Sequence, residues 1–144
     1  MFEQFNNNPG CRIYTRGKKK GKKEIKSDCV IRCMQLAWNT DWLTAAKRLA
    51  ERSFELYEPQ CANATFESFC EPTQIKAKTE DLFSGRKRYK TVKEFAESTK
   101  GHSIGFIVSV PHHLVFVKNG KYYDAWDSGR ETVRKIWKLK ENNQ

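Results

Sequence analysis

Asn119-Gly120 stands between two apolar runs, His113–Lys118 and Lys121–Ala125, and this leaves the chain few local alternatives. An Asn-Gly pair adopts the left-handed backbone of a two-residue hairpin turn, whose twist matches that of the strands on either side. Upstream, Ser103–Val110 is apolar and β-branched and stops at Pro111, which reads as a further strand. Downstream, Asp127-Ser128-Gly129 is a turn signal, and Thr132–Leu139 reads as the last strand. The C-terminal part is therefore expected to be an antiparallel meander.

The N-terminal half has the other period. Val30, Ile31, Cys33, Met34 and Ala37 recur at helical spacing after Ser27 or Asp28, either of which suits a helix cap. Trp38-Asn39 should end that helix, and Thr40 or Asp41 should open a second with Trp42, Ala45, Ala46, Leu49, Ala50 and Phe54 on one face. Thr91-Val92-Lys93-Glu94 has the form of a capping box, and the short helix it starts should stop before Gly101. Helices followed by a meander indicate an α+β fold, with two or three helices packed on an antiparallel sheet.

The chain has 144 residues, about one domain at ~100–200 residues each. Residues 27–144 read as a single domain with an irregular insert at about 59–88. The net charge is +10, and residues 1–26 carry +6 of it, so this segment is expected to be a basic, flexible arm. Its run Arg16-Gly17-Lys18-Lys19-Lys20-Gly21-Lys22-Lys23 attracts polyanions without reading their sequence. With few aromatic residues interleaved, a solvated loop is the simpler interpretation of that run.

No apolar run approaches the roughly 18 residues that cross a bilayer. The start, Met1-Phe2-Glu3-Gln4-Phe5-Asn6, lacks the basic and apolar regions of a secretory leader. A cytoplasmic location and no membrane partner are therefore expected. The odd cysteine count, Cys11, Cys29, Cys33, Cys61 and Cys70, fits reduced thiols in such a compartment. Neither the cysteine spacings nor adjacent His112-His113 form the close ligand pairs of a zinc site, so a structural zinc domain ranks last among the functional readings.

Three residues fall on chemically useful positions. Cys29 lies at the first turn of a helix, where free backbone N–H groups favour a thiolate. His113 opens one strand of the hairpin and Asp124 closes the other, near the same end of the ladder. A nucleophilic thiol needs a base in hydrogen-bond reach and a third group to hold that base. Taken singly, each has a plainer reading: a buried small hydrophobe, a surface histidine, a turn aspartate.

Ser27-Asp28-Cys29-Val30-Ile31-Arg32 resembles the Asp-Cys-Val-x-Arg segment of small papain-like cysteine hydrolases of bacteria and phages. His113 to Gly120, followed by Tyr122-Tyr123-Asp124-Ala125-Trp126-Asp127-Ser128-Gly129, resembles their C-terminal block. Thr91 to Phe95 and Gly101 also look like that family's helix and the approach to its first strand. The resemblance spans roughly residues 27–139, with the 59–88 insert unmatched, and the grouping includes peptidases, deconjugating isopeptidases, amidases and acyltransferases.

It implies a papain-like fold and cleavage of an amide, peptide or isopeptide bond in a protein or peptide substrate, without a cofactor. Cys29 would be the nucleophile, His113 the general base and Asp124 its orienting group, with His112 and Asp127 as the competing choices. Trp126, Trp38 and the 59–88 insert are the candidates for substrate contact. One departure stands out. The Gln or Asn that such enzymes place shortly before the cysteine is missing from Lys22-Lys23-Glu24-Ile25-Lys26. A second oxyanion donor would have to come from Asn6, Asn7, Asn8 or Gln35. A non-catalytic protein on the same scaffold, holding an acidic partner or nucleic acid through Lys18–Lys23, is the alternative.

Overall fold

The computed structural model describes residues 1–73 and 75–140. The described residues form four helices and a mostly antiparallel six-stranded sheet. The elements in chain order are β1 (Phe2–Gln4), α1 (Cys29–Trp38), α2 (Trp42–Leu56), α3 (Asn63–Glu67), β2 (Cys70–Pro72), β3 (Lys78–Glu80), β4 (Lys87–Tyr89), α4 (Val92–Ser98), β5 (Phe106–Val110), β6 (His113–Lys118), β7 (Lys121–Asp124) and β8 (Lys135–Leu139). The large sheet runs β1-β7-β6-β5-β8-β2, while β3 and β4 form a separate ribbon.

Local signals explain most of these elements. Asn119 and Gly120 both take positive φ, 47° and 78°, and join β6 to β7 in the register Lys118↔Lys121, Val117↔Tyr122 and Phe116↔Tyr123. Asp41 caps α2 by accepting from Thr44 N at 2.8 Å. Thr91 and Glu94 make both halves of the capping box at the start of α4. The strand alternation then divides the core in two. Ile107, Leu114, Phe116 and Trp137 pack with Met34, Trp38, Leu49 and Phe66 on the face covered by α1–α3. Phe106, Val108, Val115 and Val117 pack with Val92 and Phe95 on the face covered by α4. The helices thus cover both faces of the sheet.

Several features differ from the sequence expectation. Within residues 1–26, β1 adds to the edge of the sheet, parallel to β7, with Gln4 opposite Asp124. Residues 11–24 fold back as a hairpin, with Tyr14 N bonded to Lys22 O at 2.9 Å and Glu24 N to Arg12 O at 2.7 Å. Only the Ile13–Lys23 bridge marks the extended piece expected near Cys11. The insert at 59–88 contains α3, β2, β3 and part of β4. The β1–β7 and β2–β8 pairings join segments far apart in the chain, so no local period announces them.

Gly105 sits where a Cβ would come within 2.8 Å of the Phe116 ring and 2.9 Å of Leu139 Cδ1. Both neighbours belong to the core beneath α1. Gly105→Ala is expected to lower unfolding free energy by about 1–3 kcal/mol through overpacking, measured by urea denaturation.

Candidate active site

Asp28 is the N-cap residue of α1, so Cys29 is its first helical residue. The Asp28 side chain does not cap the helix. It is buried and turns sideways, accepting from Arg32 Nη2 at 2.6 Å, Trp42 Nε1 at 2.9 Å and Asn8 Nδ2 at 3.0 Å. The first-turn amides of α1 consequently have no side-chain cap and contribute their positive potential at Cys29.

His113 is the first residue of β6 and Asp124 the last of β7, so both lie at the rim of the sheet where α1 begins. His113 Nε2 is 2.6 Å from Asp124 Oδ2. A carboxylate only accepts, which makes Nε2 the protonated nitrogen and leaves Nδ1 for the Cys29 thiol, with which His113 is hydrogen-bonded. Asp124 is fully buried and accepts from Ala125 N and Ser128 Oγ, each at 2.7 Å, and from Arg32 Nη1 at 3.4 Å. The Trp126 ring stacks on the His113 ring, with centroids 5.2 Å apart and planes 24° from parallel.

The competing residues are placed elsewhere. His112 lies in the turn between β5 and β6, exposed, with φ 60°. Asp127 accepts from Tyr122 Oη at 2.7 Å and Gly129 N at 3.0 Å, and so stabilises the turn after β7. Trp38, named from sequence as a substrate contact, is 8% exposed and packs edge-on against Phe69 in the core. Its apolar surface is part of the helix packing on the sheet, which removes it from any cleft. Trp126 is 39% exposed beside His113.

The electrostatics favour an ion pair. Burial alone would raise the Cys29 thiol. The hydrogen bond from His113, the Leu114 backbone N–H and the charges of His113 and Arg32 together bring it below its ordinary 9.0. Burial likewise disfavours the His113 cation, yet Asp124 and Cys29 raise it from 6.5 to about 9. The two shifts run in the directions that favour thiolate and imidazolium together. The other helical thiol, Cys33, is buried and pushed well up, as is Cys70, to about 12. By linkage, the raised His113 contributes stability that is complete below 6.5 and is lost as pH rises through about 9.

No family model, curated protein or solved structure matches the chain.

Sequence reasoning does not assign Arg32 and Ser128 to the site. Arg32 is 4% exposed and bridges Asp28 to Asp124, tying the start of α1 to the end of β7. Its spacing of four from Asp28 on one helix is a readable signal; its link to Asp124 is not. Among the four candidate oxyanion donors, Asn6 Nδ2 bonds Glu24 O, Asn8 Nδ2 bonds Asp28, and Gln35 Nε2 bonds Asn7 Oδ1 at 2.7 Å. Asn7 is exposed, and among the described residues its Nδ2 has no acceptor. Among those same residues, no group of three or more His, Cys, Asp or Glu is arranged to hold a metal ion. No helix among them is long and apolar enough to cross a membrane.

Proposed function

We propose that this protein is a papain-like cysteine hydrolase that cleaves an amide, peptide or isopeptide bond in a protein or peptide. The observation that carries the reading is the continuous line from the helix-terminal Cys29 thiol through the His113 ring to buried Asp124. In the first half-reaction, with the thiol proton already on His113 Nδ1, the Cys29 thiolate attacks the carbonyl carbon. The tetrahedral oxyanion collapses to a thioester as His113 returns the proton to the departing amine. Water then attacks the thioester with His113 as base, and the thiolate leaves as the acid is released, which restores the Cys29–His113 ion pair. Asp124 keeps the ring oriented and stabilises its cation throughout.

The Cys29 backbone N–H supplies one oxyanion donor in this scheme, and Asn7, whose Oδ1 accepts from Gln35 of α1, is the candidate for the second. Asn7→Ala is expected to lower kcat about 10²–10³-fold, the scale for losing one such donor, with the Cys29 alkylation profile unchanged.

The test is mass-spectrometric counting of new amino groups after incubation with a denatured protein mixture. The wild type should generate them, while Cys29→Ala and His113→Ala should not. Equal cleavage by Cys29→Ala would overturn the reading. The exposed basic hairpin favours the second reading, a non-catalytic binder, for which binding would be indifferent to Cys29.

A further inference from the structure

The hairpin at residues 10–26 carries eight cationic side chains and a single carboxylate, Glu24. Tyr14 N–Lys22 O, Gly21 N–Tyr14 O and Glu24 N–Arg12 O bonds give it a defined shape, and Gly17 and Gly21 turn it with φ near 77° and 81°. Glu24 is paired with Arg12 at 3.6 Å, and Lys23 Nζ donates to Asn6 O. Among the described residues, Arg16, Lys18, Lys20 and Lys22 are exposed and have no ion-pair partner. Like charges held together on an ordered turn repel one another and raise the potential at its surface, which a polyanion relieves.

The base of the hairpin also adjoins the start of α1. Its outgoing strand leads through Lys26, Ser27 and Asp28 into Cys29 with no intervening element. Asn6 Nδ2 holds Glu24 O at 3.1 Å, and Asn8 Nδ2 holds Asp28 at 3.0 Å. These two bonds tie the base of the hairpin and the start of α1 to one segment, Asn6–Asn8.

We propose that this hairpin is a substrate-recognition element, which selects polypeptides bearing an acidic stretch next to the bond presented to Cys29. The proposal rests on the hydrolase reading above and specifies its substrate class. A polypeptide is favoured over nucleic acid by the setting of the hairpin's aromatic ring. The hairpin's one aromatic residue, Tyr14, lies under Lys19 at 5.4 Å instead of forming a free stacking platform.

The probes are a fluorescein-labelled deca-glutamate and an oligothymidylate with the same number of charges, read by anisotropy. Deca-glutamate should bind more tightly than the oligothymidylate. Its affinity should fall steeply between about 50 and about 200 mM salt, and by about tenfold or more in Lys18→Gln/Lys20→Gln/Lys22→Gln. Bound deca-glutamate should also slow iodoacetamide alkylation of Cys29 in the wild type and not in the triple variant. Without the probe, the triple variant should alkylate as the wild type does, which confirms an intact fold and site. Absent binding, binding unaffected by the triple substitution, tighter binding of the oligothymidylate, or binding that leaves Cys29 equally reactive would each overturn the proposal. An ordinary Cys29 thiol would instead defeat the hydrolase reading, and the anisotropy arms report independently of it.

Discussion

Arg32→Met is expected to unfold with about 3–5 kcal/mol less free energy than the wild type, the scale for stripping one member from a buried ion cluster. Arg32 Nη2 lies 2.6 Å from Asp28 Oδ1 and Nη1 lies 3.4 Å from Asp124 Oδ1, with all three side chains almost completely buried. Methionine has a similar reach and leaves no large void, so the loss isolates the charge that Arg32 supplies to buried Asp28 and Asp124. Urea denaturation measures the loss. A variant as stable as the wild type at neutral pH would show that the cluster is not what joins α1 to β7.

Asp124→Asn should cut turnover by about 10⁴-fold, the scale seen when the orienting carboxylate of a triad is neutralised. Its side chain accepts from Ala125 N, Ser128 Oγ and Arg32, and faces His113 Nε2. An amide fills the same space but no longer supports an imidazolium, so His113 should lose its proton well below the value of about 9 that Asp124 now helps to sustain. For the wild type, kcat/KM should rise with pH as Cys29 ionises below its ordinary 9.0, and fall as His113 deprotonates near 9. In Asp124→Asn the falling limb should move to lower pH and the plateau should narrow. An unchanged falling limb would detach Asp124 from His113.

What is readable in the sequence is local. The periodicity of α1 and α2, the Thr91–Glu94 capping box and the Asn119-Gly120 turn each depend on residues within a few positions of one another, and each is present in the structure. The hairpin signal also places His113 and Asp124 at one rim from the residue order alone, since strand pairing about a two-residue turn leaves one solution. The parallel pairing of Phe2–Gln4 with Tyr122–Asp124 links the two ends of the chain, and no local pattern encodes it. The Asp28–Arg32–Asp124 cluster is half legible, because its helical half follows from spacing and its other half spans 92 residues. Trp38 misleads for a related reason. A large aromatic residue beside a candidate site looks the same in sequence whether it lines a cleft or, as here, fills the core under α1.

The pH dependence of Cys29 alkylation by iodoacetamide, followed by mass spectrometry in the wild type and in His113→Ala, is the most direct test. Exposed Cys61 and buried Cys33 and Cys70 serve as internal references. The expected outcome is that Cys29 reacts as a thiolate below 9.0, that Cys33 and Cys70 stay inert, and that His113→Ala returns Cys29 to reactivity only at alkaline pH. Reaction of Cys29 in step with Cys61, or a profile indifferent to His113→Ala, would contradict a Cys29–His113 ion pair and with it the hydrolase reading.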